Sequence, residues 1–285
     1  MRKIIFTIGQ AKRLAFQLDN SSIFEPDKPT ILALHGAGGH PLFFSRISGL
    51  HQVLNFGEVL YLEAEKHGRL SRWNWENLDD HDFLAKVIDS LLSKGKKPNN
   101  IYIFGMSNGG CLANLFGHTC GLELGGIASI CSAMPVYNQS IWKNKTIQHP
   151  NKIFIASSLY DQIMPYEGGE TESDLSHHVL SHNETVRQWQ LSLDCQQCTL
   201  EPSDFLNRIG SLNNIRFKYF SSDNSKVIFS LTSLSSMHTW NLIDENPIKP
   251  SMIRNRKRWG PSVQKRPGES NTVISSLICE FMFGK

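Results

Sequence analysis

Residues 101–116 constrain the fold of this chain more than any other stretch. A run of β-branched and aromatic residues, Ile101-Tyr102-Ile103-Phe104, stops at Gly105-Met106-Ser107-Asn108-Gly109, and a helix-forming run, Cys111-Leu112-Ala113-Asn114-Leu115-Phe116, follows at once. That order is strand, sharp turn, helix. A turn this tight holds its central residue in a strained backbone conformation, which its neighbours permit only by lacking a Cβ; Gly105 and Gly109 fit that need. Ser107 would then stand at the end of a sheet with its hydroxyl free to attack. A G-x-S-x-G box also arises by accident in a chain with 21 glycines, so the flanking strand and helix carry the information.

The rest of the chain repeats the alternation. Residues 3–18 read as a leading β-hairpin around Gly9-Gln10. Thr30-Ile31-Leu32-Ala33-Leu34 is a continuous apolar run of strand length, the mark of a strand covered on both faces. It ends in His35-Gly36-Ala37-Gly38-Gly39-His40, where glycines let backbone N–H groups approach a ligand closely; neither a Walker lysine nor a G-x-G-x-x-G spacing is present. Residues 42–56 read as helix and 58–62 as strand. Asp79 and Asp80 open an amphipathic helix whose apolar residues Phe83, Leu84, Val87, Ile88, Leu91 and Leu92 recur at helical spacing. Further strands are expected at 126–131, 152–156, 216–220 and 227–231, and helices at 176–193 and 272–283. This pattern predicts an α/β protein with a mostly parallel central sheet and helices on both faces, in one domain.

Composition narrows the function classes. With 40% hydrophobic and 19% charged residues in 285, the chain is globular, and a net charge of +3 does not mark a nucleic-acid or membrane-surface protein. Residues 4–8 are too short an apolar run for a signal peptide, and no stretch approaches the ~20 apolar residues of a membrane span, so a cytoplasmic location is expected. Residues 244–270 form a Pro-containing loop insert with a basic cluster at 254–266, read as a solvated loop or as a dock for an acidic partner. Cys111, Cys120, Cys131 and Cys279 look like buried small hydrophobes. Cys195 and Cys198 have C-x-x-C spacing, consistent with a local pair or free thiols, while no second such box completes a zinc set.

A serine hydroxyl is a weak nucleophile at neutral pH and needs a base, itself oriented by a third group. Asp161 lies a few residues beyond the strand at 152–156, and His238 lies in the loop after the final strand. Ser107, Asp161 and His238 therefore follow the order nucleophile, acid, base, each at the end of a different strand. His177, His178 and His182 compete as bases but sit in or before a predicted helix; Asp223 and Asp244 compete as acids from turn or insert sequence.

These residues resemble the α/β-hydrolase-fold esterases of the poly(3-hydroxybutyrate) depolymerase and feruloyl esterase type. The likeness spans nearly the whole chain. It rests on His35-Gly36 with its following glycines, Trp73-Asn74-Trp75 followed by Asp79-Asp80, the block Gly105-Met106-Ser107-Asn108-Gly109-Gly110, Asp161 with Pro165-Tyr166 and Gly168-Gly169, and His238-Thr239-Trp240. The resemblance implies an α/β-hydrolase fold, Ser107 as nucleophile, His238 as base and then acid, Asp161 as its orienting carboxylate, and the backbone N–H groups of Asn108 and Ala37 as the oxyanion hole. It implies no metal or organic cofactor. Trp240, Trp73, Trp75 and Met106 are the candidates for contacting substrate, with core packing an equal reading for Trp73 and Trp75. Ser235-Ser236-Met237 stand where that family has glycines, and Asn241-Leu242 replace its Pro-Gly, so the base loop is shaped differently. Many of its members carry a signal peptide, and none is expected from residues 4–8 here, which favours small or oligomeric esters over an external polymer. A peptidase, thioesterase or acyltransferase would use the same triad, and an idle binding module would keep the fold alone.

Overall fold

A computed structural model describes residues 2–9, 11–18, 25–54, 56–68, 70–138, 148–171, 177–198, 215–223, 225–234, 238–240 and 273–284. Among the described residues, ten strands form one sheet: β1 (Arg2–Ile8), β2 (Ala11–Leu18), β3 (Thr30–Leu34), β4 (Glu58–Leu62), β5 (Ile101–Met106), β6 (Gly126–Ile130), β7 (Lys152–Ser158), β8 (Gln196–Cys198), β9 (Ile215–Ser221) and β10 (Val227–Ser233). Their spatial order is β1-β2-β4-β3-β5-β6-β7-β10-β9-β8. The six central strands, from β4 to β10, are mutually parallel. Antiparallel strands close both flanks.

The burial follows from the sequence pattern. β3 and β4 are apolar after their first residues, Thr30 and Glu58, and buried at every residue, whereas edge strand β1 alternates exposed and half-buried positions. Because side chains alternate across a strand, Leu32 and Leu34 enter one core layer, and Ile31 and Ala33 the other. The first layer holds the apolar sides of α3 (Asp79–Leu92), α4 (Asn108–Thr119) and α5 (His182–Leu193). The second holds α1 (Pro41–Ser48), α2 (Leu50–Val53) and α6 (Val273–Phe283). The chain leaves β3 for β4 over one face and enters β5 on the opposite side of β3 over the other. The strand order thus reverses between β3 and β5, the position where open α/β sheets form their ligand crevice.

Two predicted helices differ in the structure. The one expected over residues 42–56 is broken by Gly49, whose φ of 59° ends α1 and starts the short α2. The one expected over 176–193 begins only at His182. His178–Val179 instead pairs antiparallel with Gly169–Glu170, and the Ser181 hydroxyl then caps α5 by accepting from the Glu184 N–H at 3.0 Å. β8 was not anticipated; a three-residue exposed strand carries too little pattern to read. The basic segment at 244–270 lies outside the described residues. Among those described, no helix is long and apolar enough to cross a membrane.

Candidate active site

Ser107 sits between β5 and α4 with φ 54° and ψ −126°, a region that an L-residue enters only when its surroundings enforce it. Here they do. Its N–H donates to the Ile130 carbonyl and its own carbonyl accepts from Cys111 N–H, each at 2.9 Å. A Cβ on Gly105 would overlap the backbone of Gly109, and one on Gly109 would overlap the carbonyls of Leu34 and His35. Both glycines of the box are therefore required by close backbone approach, and Gly109 is where the elbow meets the end of β3.

Asp161 follows β7 and His238 follows β10, so both reach the same carboxyl edge of the sheet as Ser107. The Asp161 carboxylate is buried. One oxygen accepts from the N–H groups of Ile163 and Met164, each at 2.9 Å, and the other accepts from His238 Nδ1 at 2.7 Å. With the carboxylate as acceptor, Nδ1 carries the proton and Nε2 is left as the basic nitrogen. Ser107 and His238 line one cavity. Of the competing residues, His178, His182 and Asp223 stand elsewhere. His178 is exposed, and His182 is buried between the hydroxyls of Ser157 and Ser230 at 2.9 and 2.8 Å. Asp223 lies in the β9–β10 turn, at the opposite edge of the sheet, and Asp244 lies outside the described residues. His177 does reach the cavity, where its ring lies 4.5 Å from that of Trp75.

The loop after β3 is fastened to the elbow through Trp73. Asn108 accepts from the Trp73 N–H at 2.7 Å and donates to its carbonyl at 3.0 Å, while the Trp73 indole N–H donates to the His35 carbonyl at 2.8 Å. The His35 ring donates from Nδ1 to Gly36 O at 2.7 Å and accepts at Nε2 from Ala64 N–H at 3.2 Å. Burial lowers its pKa to about 4, so it stays neutral and keeps that arrangement. Ala37 and Asn108, the two residues assigned by resemblance to the oxyanion hole, both line the cavity.

The cavity encloses about 620 Å³ and its walls are mainly apolar, with Phe43, Ile47, Leu70, Ile163 and Met164 among them. Among the described residues no Asp, Glu, Lys or Arg lines it. Trp75 and Met106 contribute to the wall. Trp73 and Trp240 do not. Trp73 is fully buried in the first core layer, and Trp240 lies in the second, edge-on to Phe44 at 5.1 Å, with its N–H donated to Ser275 at 2.9 Å. Each buried indole finds an internal acceptor for its N–H, which suits a structural position.

Two contributors escaped the sequence reading. Arg13 of β2 forms a buried ion pair with Asp80 of α3, and the other Asp80 oxygen accepts from Asn74 N–H at 2.6 Å. This pair supports the loop bearing Trp73 and Trp75. The second is Cys131, whose thiol lies with the Asp161 and His238 ligand atoms in a set within 4.8 Å of one another. Such a trio has metal-ligand chemistry, but Asp161 and His238 spend their facing atoms on each other. Cys195 is buried, Cys198 is exposed, and both are free thiols.

Among solved structures, an acetyl xylan esterase from Aspergillus awamori superposes with a TM-score of 0.54 at 11% identity, covering 85% of this chain and 92% of that one. The chain has an α/β-hydrolase fold. Within that fold, residues 78–197, less than half of the chain, match the Phospholipase/Carboxylesterase family. Structural similarity extends to a carboxylesterase from Bacillus cereus (18% identity, 64% of this chain and 80% of that one, TM-score 0.43). It extends also to a phospholipase/carboxylesterase from Dyadobacter fermentans (16% identity, 62% and 81%, TM-score 0.47). No curated protein matches the chain. The family match on this α/β-hydrolase supports a hydrolase of carboxylic esters.

Proposed function

We propose that this α/β-hydrolase is a serine carboxylesterase that acts on small, aromatic or hydroxyalkanoate-type esters through an acyl-enzyme on Ser107. The observation that carries the reading is the Asp161–His238 hydrogen bond at 2.7 Å on the wall of the cavity that the strained Ser107 also lines. His238 Nε2 takes the Ser107 proton as Oγ attacks the ester carbonyl. The resulting oxyanion receives the backbone N–H groups of Asn108 and Ala37, a stabilisation of about 3–4 kcal/mol per donor. The imidazolium then protonates the departing alcohol. In the second half His238 deprotonates a water, which attacks the acyl carbonyl, and Ser107 leaves with its proton restored. The depolymerase and feruloyl esterase likeness in the Gly105–Gly110 block supports the acyl range, and a cavity wall that among the described residues holds no Asp, Glu, Lys or Arg fits a neutral acyl group. Hydrolysis of short and aromatic p-nitrophenyl esters by the purified protein, compared with Ser107→Ala, is the direct test. Turnover that persists unchanged in Ser107→Ala removes the proposal.

A further inference from the structure

We infer that Cys131 is a positioning residue for the proposed base, holding the His238 loop against the acid through its thiol. This rests on reading Ser107, Asp161 and His238 as the triad. Cys131 follows β6 directly, in a left-handed conformation with φ 48°, and its N–H donates to Ala156 of β7 at 2.8 Å. Two strands therefore fix where its side chain emerges. The Sγ donates to the Thr239 carbonyl at 3.2 Å, one residue beyond His238, and lies within 4.8 Å of the ligand atoms of both Asp161 and His238. The loop that carries the base is thus tied to the sheet at two adjacent residues, by the His238 ring to Asp161 and by the Thr239 carbonyl to Cys131.

The residue type fits the task. A sulfur at this fully buried position fills space like a small hydrophobe and still offers one weak donor to the carbonyl. Burial first, and then the neighbouring Asp161 charge, push the thiol pKa well above its ordinary value. It therefore stays protonated, keeps its donor, and adds no second negative charge beside the carboxylate. Reading Cys131 as a buried hydrophobe from sequence was right about its burial and missed the hydrogen bond.

The test measures kcat and KM on p-nitrophenyl acetate for the wild type, Ser107→Ala, Cys131→Ala and Cys131→Ser, together with the far-downfield proton resonance of the Asp161–His238 hydrogen bond. Cys131→Ala is expected to lower kcat about five- to tenfold with KM changed by less than about twofold, the size of one lost neutral hydrogen bond. Its downfield proton should shift or broaden. Cys131→Ser, which restores a donor, should recover most of kcat. Wild-type kcat and an unshifted proton in Cys131→Ala overturn the inference. Activity retained by Ser107→Ala instead overturns the triad reading, while the proton resonance still reports whether Cys131 orders His238. Should Cys131→Ala not fold, the infrared S–H band of the wild type, isolated by difference against Cys131→Ser, decides. A hydrogen-bonded frequency supports the inference and a free-thiol frequency defeats it.

Discussion

Asn108 and Trp73 hold each other by two hydrogen bonds, side-chain amide to both backbone groups, at 2.7 and 3.0 Å. The contact bridges 35 residues of sequence and joins the nucleophile elbow to the loop that in turn fixes His35 through the Trp73 indole. Asn108→Ala would leave a buried N–H and a buried carbonyl without partners, at a cost of about 2–4 kcal/mol. The variant should unfold at clearly lower urea. Its kcat should also fall, because the Asn108 N–H proposed for the oxyanion hole would lose its register with the loop after β3. Asn108→Asp retains the acceptor but not the donor, and it should remain impaired in both assays.

The Asp161 carboxylate accepts from the Ile163 and Met164 N–H groups as well as from the base. Asp161→Asn can still accept from the Ile163 and Met164 N–H groups with its carbonyl, so the loop should keep its shape. Its amide NH2 would then face His238 and favour the tautomer with the proton on the wrong nitrogen. Ester hydrolysis should drop by about 10³–10⁴ in kcat, with an unchanged circular dichroism spectrum. A loss below tenfold would argue against Asp161 as the orienting acid.

How much of this was legible depends on the range of the interactions. The buried strands β3, β4, β5 and β7 announce themselves as apolar runs, and the turn at Ser107 announces itself through glycines that its close backbone contacts demand. The chain order of Ser107, Asp161 and His238 could be read, but not the distance between any two of them. Trp73 and Trp240 were harder, because an indole near the sheet edge can face the cavity or the core, and only the acceptors at His35 and Ser275 decide which. Arg13 gave no local signal at all, since its partner Asp80 is 67 residues away. Residues 176–181 read as helical until the partner strand at Gly169–Glu170 is known.

Stability should fall as the pH drops from neutral, and buried histidines supply a defined part of that loss. Burial lowers His35 and His182 from 6.5 to about 4 in the folded protein. Between these values the unfolded chain binds protons that the folded one refuses, so the contribution is complete above about 6.5, declines as pH falls towards 4, and is level below. Each histidine accounts for a loss on the order of 3 kcal/mol across that window. Asp80, raised by burial, works in the opposite sense above 3.8. Urea midpoints at pH 7 and pH 5 should differ accordingly, and His182→Gln, which retains hydrogen-bonding capacity toward Ser157 and Ser230, should narrow the difference. An unaltered difference in that variant would remove His182 from the account.

The Arg13–Asp80 pair separates support of the site from its chemistry. Both groups are buried, Asp80 also holds the Asn74 N–H, and the Arg13 guanidinium lies 4.4 Å from the Phe83 ring centre. Truncating one partner strands a buried charge, so Asp80→Ala should cost about 3–5 kcal/mol. Because Asn74 lies between Trp73 and Trp75, and Trp75 walls the cavity, KM for an aromatic ester should rise more than kcat falls. Replacing both partners, Arg13→Met with Asp80→Leu, removes the stranded charge and should recover much of the stability lost in either single variant. It would not restore the acceptor for Asn74, so the raised KM should persist in the double variant. Recovery of KM together with stability would show that the pair merely stabilises the fold and does not set the position of the Trp75 wall.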